Sequence, residues 1–103
     1  MIYEKIVTDI EKLYTHFEFD NSYQWEDFDK LLSVLVDQMG CEVIEKSDII
    51  WFRYCELKKD KFVFRLLYDE DFGCNLSWRD KMDDAYYDQL EQIAKEVVEK
   101  WVD

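Results

Sequence analysis

A chain of 103 residues with 25 acidic and 13 basic side chains has a formal net charge of −12. Nucleic-acid binding is excluded as the default function, because phosphate recognition needs a basic footprint. Apolar types make up 49% and aromatics 17%, with no proline and two glycines. That is enough large side-chain volume for one core and argues against disorder. Apolar runs are short beside the roughly 20 residues of a membrane-spanning helix. Met1 leads into a charged amphipathic pattern rather than a signal peptide. We therefore expect one acidic domain over residues 1–103, cytoplasmic, with no membrane contact.

Taken in chain order, residues 2–17 place Ile2, Ile6, Val7, Ile10, Leu13, Tyr14 and Phe17 at spacings of three and four, the period of one helical face. An amphipathic helix is predicted there. Asp20, Asn21 and Ser22 offer cap oxygens for a second helix, with Glu26 and Asp27 in its first turn and Trp25, Phe28, Leu32, Leu35, Val36 and Met39 as its buried stripe. Gly40 follows the last periodic residue, the place where a left-handed cap needs glycine. From Cys41 to Trp78 the pattern turns to β-branched and aromatic runs between charged breaks. Strands are expected over 42–46, 49–57, 62–68 and 74–78, with turns at 47–48, 58–60 and 69–73. Loops this short join antiparallel neighbours, so these strands form a meander. A loop at 58–60 would set Arg53 opposite Arg65 or Phe64, depending on its length.

The second and third strands read as apolar on both faces, with Ile50, Phe52 and Tyr54 alternating with Trp51, Cys55 and Leu57. One face meets helices; the other needs cover from a helix, a dimer mate or a partner. After Trp78, Asp80 or Asp83 can cap a long helix whose stripe runs Met82, Tyr86, Leu90, Ile93, Val97 and Trp101. The expected fold is α+β: two N-terminal helices, a four-stranded antiparallel meander, and one long C-terminal helix packed on the sheet.

Enzyme signatures are missing. Two isolated glycines make no phosphate loop, and His16, the single histidine, makes no zinc pair. His16 is expected at the end of the first helix, where positive charge is favourable. Cys41, Cys55 and Cys74 are odd in number and widely spaced, reading as reduced apolar side chains. Asp69, Glu70 and Asp71 lack the ligand ladder and closing glutamate of a calcium loop, and read as an acidic hairpin tip. No catalytic residue, cofactor or metal is expected.

Charge distribution points further. Residues 1–40 carry a net −6, residues 41–68 a net +1 and residues 69–103 a net −7. In the last segment Asp80, Asp84, Asp88 and Glu91 recur at helical spacing and would continue the patch begun by Asp69, Glu70 and Asp71. Tyr87 falls among these acids outside the buried stripe, the composition of a binding hot spot. Like charges at this spacing destabilise a helix, so reversing Asp84 and Asp88 is expected to leave stability unchanged or slightly raised.

In size, charge and mixed helix–sheet layout the chain resembles small acidic bacterial immunity proteins that neutralise cognate toxins, and more loosely the acidic phage inhibitors of nucleases. The resemblance implies an inhibitory binding protein that occludes the active site of a basic partner such as a toxin nuclease. The alternative from the residues is a self-associating assembly module, a homodimer covering the second sheet face with its twin.

Overall fold

The N-terminal segment forms a β-hairpin, not a helix. The computed structural model describes residues 1–8 and 14–101. In it β1 (Tyr3–Thr8) pairs antiparallel with β2 (Tyr14–Phe19), Tyr3 opposite Phe19 and Ile6 opposite His16. Along β2, Thr15, Phe17 and Phe19 are buried and alternate with Tyr14, His16 and Glu18, the period of two that defines a strand. A stretch this rich in apolar residues satisfies both periods locally. The sheet edge that β2 joins, through Phe17–Leu76 and Glu18–Asn75 pairing, decides between them. Ile10 and Leu13 of the predicted helical stripe lie outside the described residues.

The remaining elements are α1 (Trp25–Ser33), which runs on as a π-helical turn (Val34–Gln38), then β3 (Glu42–Ile49), β4 (Phe52–Lys59), β5 (Phe62–Asp69), β6 (Gly73–Ser77) and α2 (Asp84–Lys100). All six strands make one antiparallel sheet in the order β1-β2-β6-β5-β4-β3. The α+β class holds. The expected four strands and two N-terminal helices are corrected to six strands with one helix before β3. The predicted turn at 47–48 moves to Ile50-Trp51, and the β4–β5 turn to Asp60-Lys61. Asp60 takes a left-handed φ of 56°, which aspartate tolerates better than most residues. This register puts Arg53 opposite Tyr68 and Glu56 opposite Arg65, so neither expected partner of Arg53 is met.

Helix α1 is capped by Gln24, not by Asp20, Asn21 or Ser22. The Gln24 backbone N–H donates to the Asp27 carboxylate at 3.0 Å in a reciprocal capping box. Ser22 is fully buried instead; its hydroxyl donates to the Phe19 carbonyl at 2.6 Å and accepts from Cys74 N–H at 2.9 Å. That bond seals the β2–α1 connection against the start of β6. Gly73 is required there, since its φ is +77° and a Cβ would meet Ser22 Oγ at 2.9 Å. Gly40 takes the left-handed conformation expected of it, φ +73°.

Both helices pack on one sheet face. The core joins Phe28, Leu31 and Leu35 around α1 and Tyr86, Leu90, Ile93 and Val97 of α2 to Phe17, Cys55, Leu57, Phe64, Leu66 and Leu76 of the strands. Asp83 caps α2, accepting from Tyr86 N–H at 2.9 Å.

On this same face Arg53 of β4 is 3% exposed. Its guanidinium lies over the rings of Trp25 and Phe28, 4.6 and 4.4 Å from their centroids. It forks onto Asp29 at 2.7 and 2.9 Å, donates to Asp48 at 3.0 Å, and donates to the Trp25 carbonyl at 2.9 Å. One buried cation thus ties α1 to β3 and β4, with its desolvation offset by paired carboxylates and aromatic faces.

Replacing Arg53 by alanine should cost about 3 kcal/mol, as for other buried long side chains that lose both packing and partners; chemical denaturation measures it. The hydrogen bonds from Arg53 hold Asp29 below its ordinary carboxylate pKa. A carboxylate whose folded pKa is depressed stabilises above its unfolded pKa and stops doing so as pH falls through the folded value. Asp29→Asn should therefore melt below the parent at neutral pH, with the difference closing in acid, below the ordinary carboxylate range.

Candidate functional site

The sheet face turned away from the helices is the one large surface that the described elements leave uncovered. Strand alternation puts Glu4 and Ile6 of β1, His16 and Glu18 of β2, Asn75 of β6, Leu67 and Asp69 of β5, and Phe52 and Tyr54 of β4 on that side. Of Ile50, Phe52 and Tyr54, expected there together, Phe52 and Tyr54 are on this face and Ile50 is in the β3–β4 turn.

The two halves of the face differ. Toward the end of β4, Glu56 is nearly buried between Arg65, 3.1 Å away, and Arg79, 3.6 Å away. Each arginine also lies over a ring, Arg65 on Tyr54 and Arg79 on Trp78. In this half the charges are paired within the molecule. The other half is an open groove of about 590 Å³ with Ile6, Phe52, Leu67 and Phe72 among its walls, and Glu18, His16 and Asp69 among its polar groups. Among the described residues no lysine or arginine lines it. His16 sits 3.4 Å from Glu18, on a strand and not at a helix end as expected.

Because Phe52 pairs with Asp69 and Asp69 with Gly73, the β3–β4 and β5–β6 turns project from the same end of the sheet, beside this groove. Ile49 (54% exposed), Ile50 (84%), Trp51 (55%) and Phe72 (66%) gather there. Asp69, Glu70 and Asp71 form the acidic tip of the second turn, where Asp69 accepts from Asp71 N–H at 2.8 Å.

The other predicted site residues lie elsewhere. Tyr86 of α2 donates its hydroxyl to Val63 O at the start of β5, whereas Asp69 closes that strand, about 20 Å away at the rise of a β-strand. The acids of α2 therefore do not continue the patch of the β5–β6 turn. Asp80 precedes the helix and pairs loosely with Arg79 at 3.7 Å. Asp84 and Asp88 are exposed and share a shallow groove with Lys5 and Lys81. Glu91 is half-buried and accepts from the Tyr3 hydroxyl at 3.0 Å. Tyr87 is 6% exposed, and its hydroxyl accepts from Met82 N–H at 3.0 Å. It is a core residue sealing the approach to α2, not an exposed anchor. Asp84 stands in the first turn of α2, where the helix dipole favours an acid, so reversing its charge should lower the melting temperature slightly.

No cluster of three or more histidine, cysteine, aspartate or glutamate side chains among the described residues could hold a metal. No helix among them is long and apolar enough to cross a membrane. The three cysteines are free and buried, and burial pushes the thiol of Cys55 up to about 11 and that of Cys74 up to about 12, with Cys41 also raised. Thiols held protonated and enclosed are poor nucleophiles. No protein-family model matches the chain, and no characterised protein or solved structure matches it. The groove beside the two turns, which no local pattern in the sequence announces, combines apolar walls with carboxylates.

An aromatic disulfide reagent at pH 8 should label none of the three thiols on the timescale that labels all of them in denaturant. Rapid labelling of any one in the native protein would mean that its surroundings open.

Proposed function

We propose that the chain is a binding protein for a basic protein partner, and that it acts by covering the partner's cationic site. What carries this reading is the excess of 25 acidic over 13 basic side chains. Arg53, Lys59, Arg65 and Arg79 are engaged with Asp29, Asp48, Glu96, Glu56 and Asp80 inside the molecule. Glu70, Asp71, Asp84 and Asp88 have no cation within ion-pair distance among the described residues. The net charge of −12 is thus expressed outward, where it draws a cationic partner in from beyond contact distance and speeds encounter.

The resemblance in size and charge to toxin-immunity proteins makes a toxin nuclease the partner class to try first, its active cleft being shaped and charged for phosphates. Inhibition would then be steric and electrostatic, with carboxylates standing near the phosphate positions. Self-association is the second reading, favoured by the uncovered sheet face. Against it, two copies meeting there would bring Glu4, Glu18 and Asp69 of each into one interface, and like charges in an interface cost several kcal/mol.

The test is capture on immobilised protein from lysate of the source organism, washed at low and then high salt. One basic protein in near-stoichiometric yield, released as salt rises, is the expected result. Recovery of the chain alone would transfer the assignment to the self-associating module, and a salt-insensitive acidic partner would refute the electrostatic reading.

A further inference from the structure

Resting on the reading as a binding protein for basic partners, we infer that the groove on the open sheet face seats a partner segment in which apolar side chains alternate with lysine or arginine. Long-range charge selects a partner but does not hold it; slow dissociation needs desolvated apolar anchors ringed by polar groups. The groove supplies both in one place. Phe52, Leu67 and Phe72 give it apolar walls, and Glu18 and Asp69 stand among them beside His16, with no lysine or arginine in the lining among the described residues.

The acidic rim extends beyond the lining. Glu4 sits opposite Glu18 across the β1–β2 pair, and Glu70 and Asp71 continue from Asp69 at the turn. The nearest guanidiniums on the same face, Arg65 and Arg79, are taken up by Glu56. An acidic or neutral apolar segment would bury Asp69 without a counter-charge and leave Glu18 only His16 as a partner, which is costly, whereas cations spaced between apolar anchors pair with both. The groove at the start of α2 fits the role less well: it holds Lys5 and Lys81 beside Asp84 and Asp88, and its one aromatic, Tyr87, is buried.

The probe is a short synthetic peptide alternating lysine with phenylalanine and leucine. Two controls accompany it, one with glutamate for lysine and one with serine for the apolar residues. Amide shifts of the labelled protein are followed during titration. The lysine–apolar peptide should move the signals of Leu67, Phe72 and Asn75 and bind about tenfold more tightly than either control, the effect expected of one anchoring contact. Phe72→Ser, at a largely exposed position, and Leu67→Ser should each weaken it about tenfold. Asp71→Lys should weaken it several-fold more than Glu99→Lys, which changes the net charge equally on the helical side.

Four results would overturn the inference. Shifts confined to α2, with Phe72→Ser binding normally, would refute this site while leaving the binding-protein reading to the capture experiment. Equal binding of the glutamate peptide would refute the basic occupant. Dilution-dependent shifts at Leu67 and Phe72 without any peptide would show a second copy in the groove. If no peptide binds, the groove is not a segment site, and salt-sensitive capture of a basic partner still decides the broader reading separately.

Discussion

The burial of Arg53 is the constraint around which this fold is arranged. A guanidinium on a sheet face packed with Phe28, Cys55, Leu57 and Phe64 is tolerated only if its donors are satisfied and its planar faces are covered. Satisfying it commits Asp29 and the Trp25 carbonyl from α1 and Asp48 from β3, and covering it commits two aromatic rings of the same helix. Helix α1 is thereby tied to β3 and β4, and α2 packs on the same face, bonded to β5 through Tyr86 and to β4 through Lys59–Glu96. Both helices are then used on one side, and the opposite side of the sheet is left open.

How the open side is finished follows from the strand order. Inserting β6 between β2 and β5 brings N-terminal residues, Ile6 and Glu18, beside residues of the central hairpins, Phe52, Leu67 and Phe72. Half of the face becomes an ion-paired cluster in which two arginines share Glu56, and the other half stays apolar and acid-rimmed. Exposed apolar side chains scattered singly are ordinary on a protein surface; gathered at one end of a sheet between two projecting turns, they form a patch. Under the proposed function, the net negative charge would direct that patch toward cationic partners, which links the sheet topology to the proposal.

The legible parts of the sequence were those in which local signals agree. Helix α2, the β5 and β6 spans, the glycine cap at Gly40 and the need of Phe52 and Tyr54 for cover all follow from periodicity and turn chemistry. The N-terminal hairpin was not legible, because Ile2, Ile6 and Phe17 suit a helical stripe as well as a strand, and β2 is chosen by pairing with β6, which is far away in sequence. The β3–β4 turn misled for a related reason: Ser47-Asp48 has turn chemistry, but Asp48 is drawn into β3 by Arg53, and Ile50-Trp51 makes the turn instead. At the site, the acidic tip at Asp69 to Asp71 was legible as a turn. Tyr87 was misread because helical periodicity does not register the Met82 backbone that its hydroxyl seals. The groove itself has no local signature, since its lining comes from five strands and a turn.

The most direct test of the account is hydroxyl-radical labelling of side chains, compared between the free chain and its complex with the captured basic partner. The account predicts that Phe52, Leu67 and Phe72 lose reactivity in the complex while Met82, at the approach to α2, keeps its own. Protection at Met82 with Phe72 labelled as in the free chain would contradict it, and would place the interface on the helical side of the molecule.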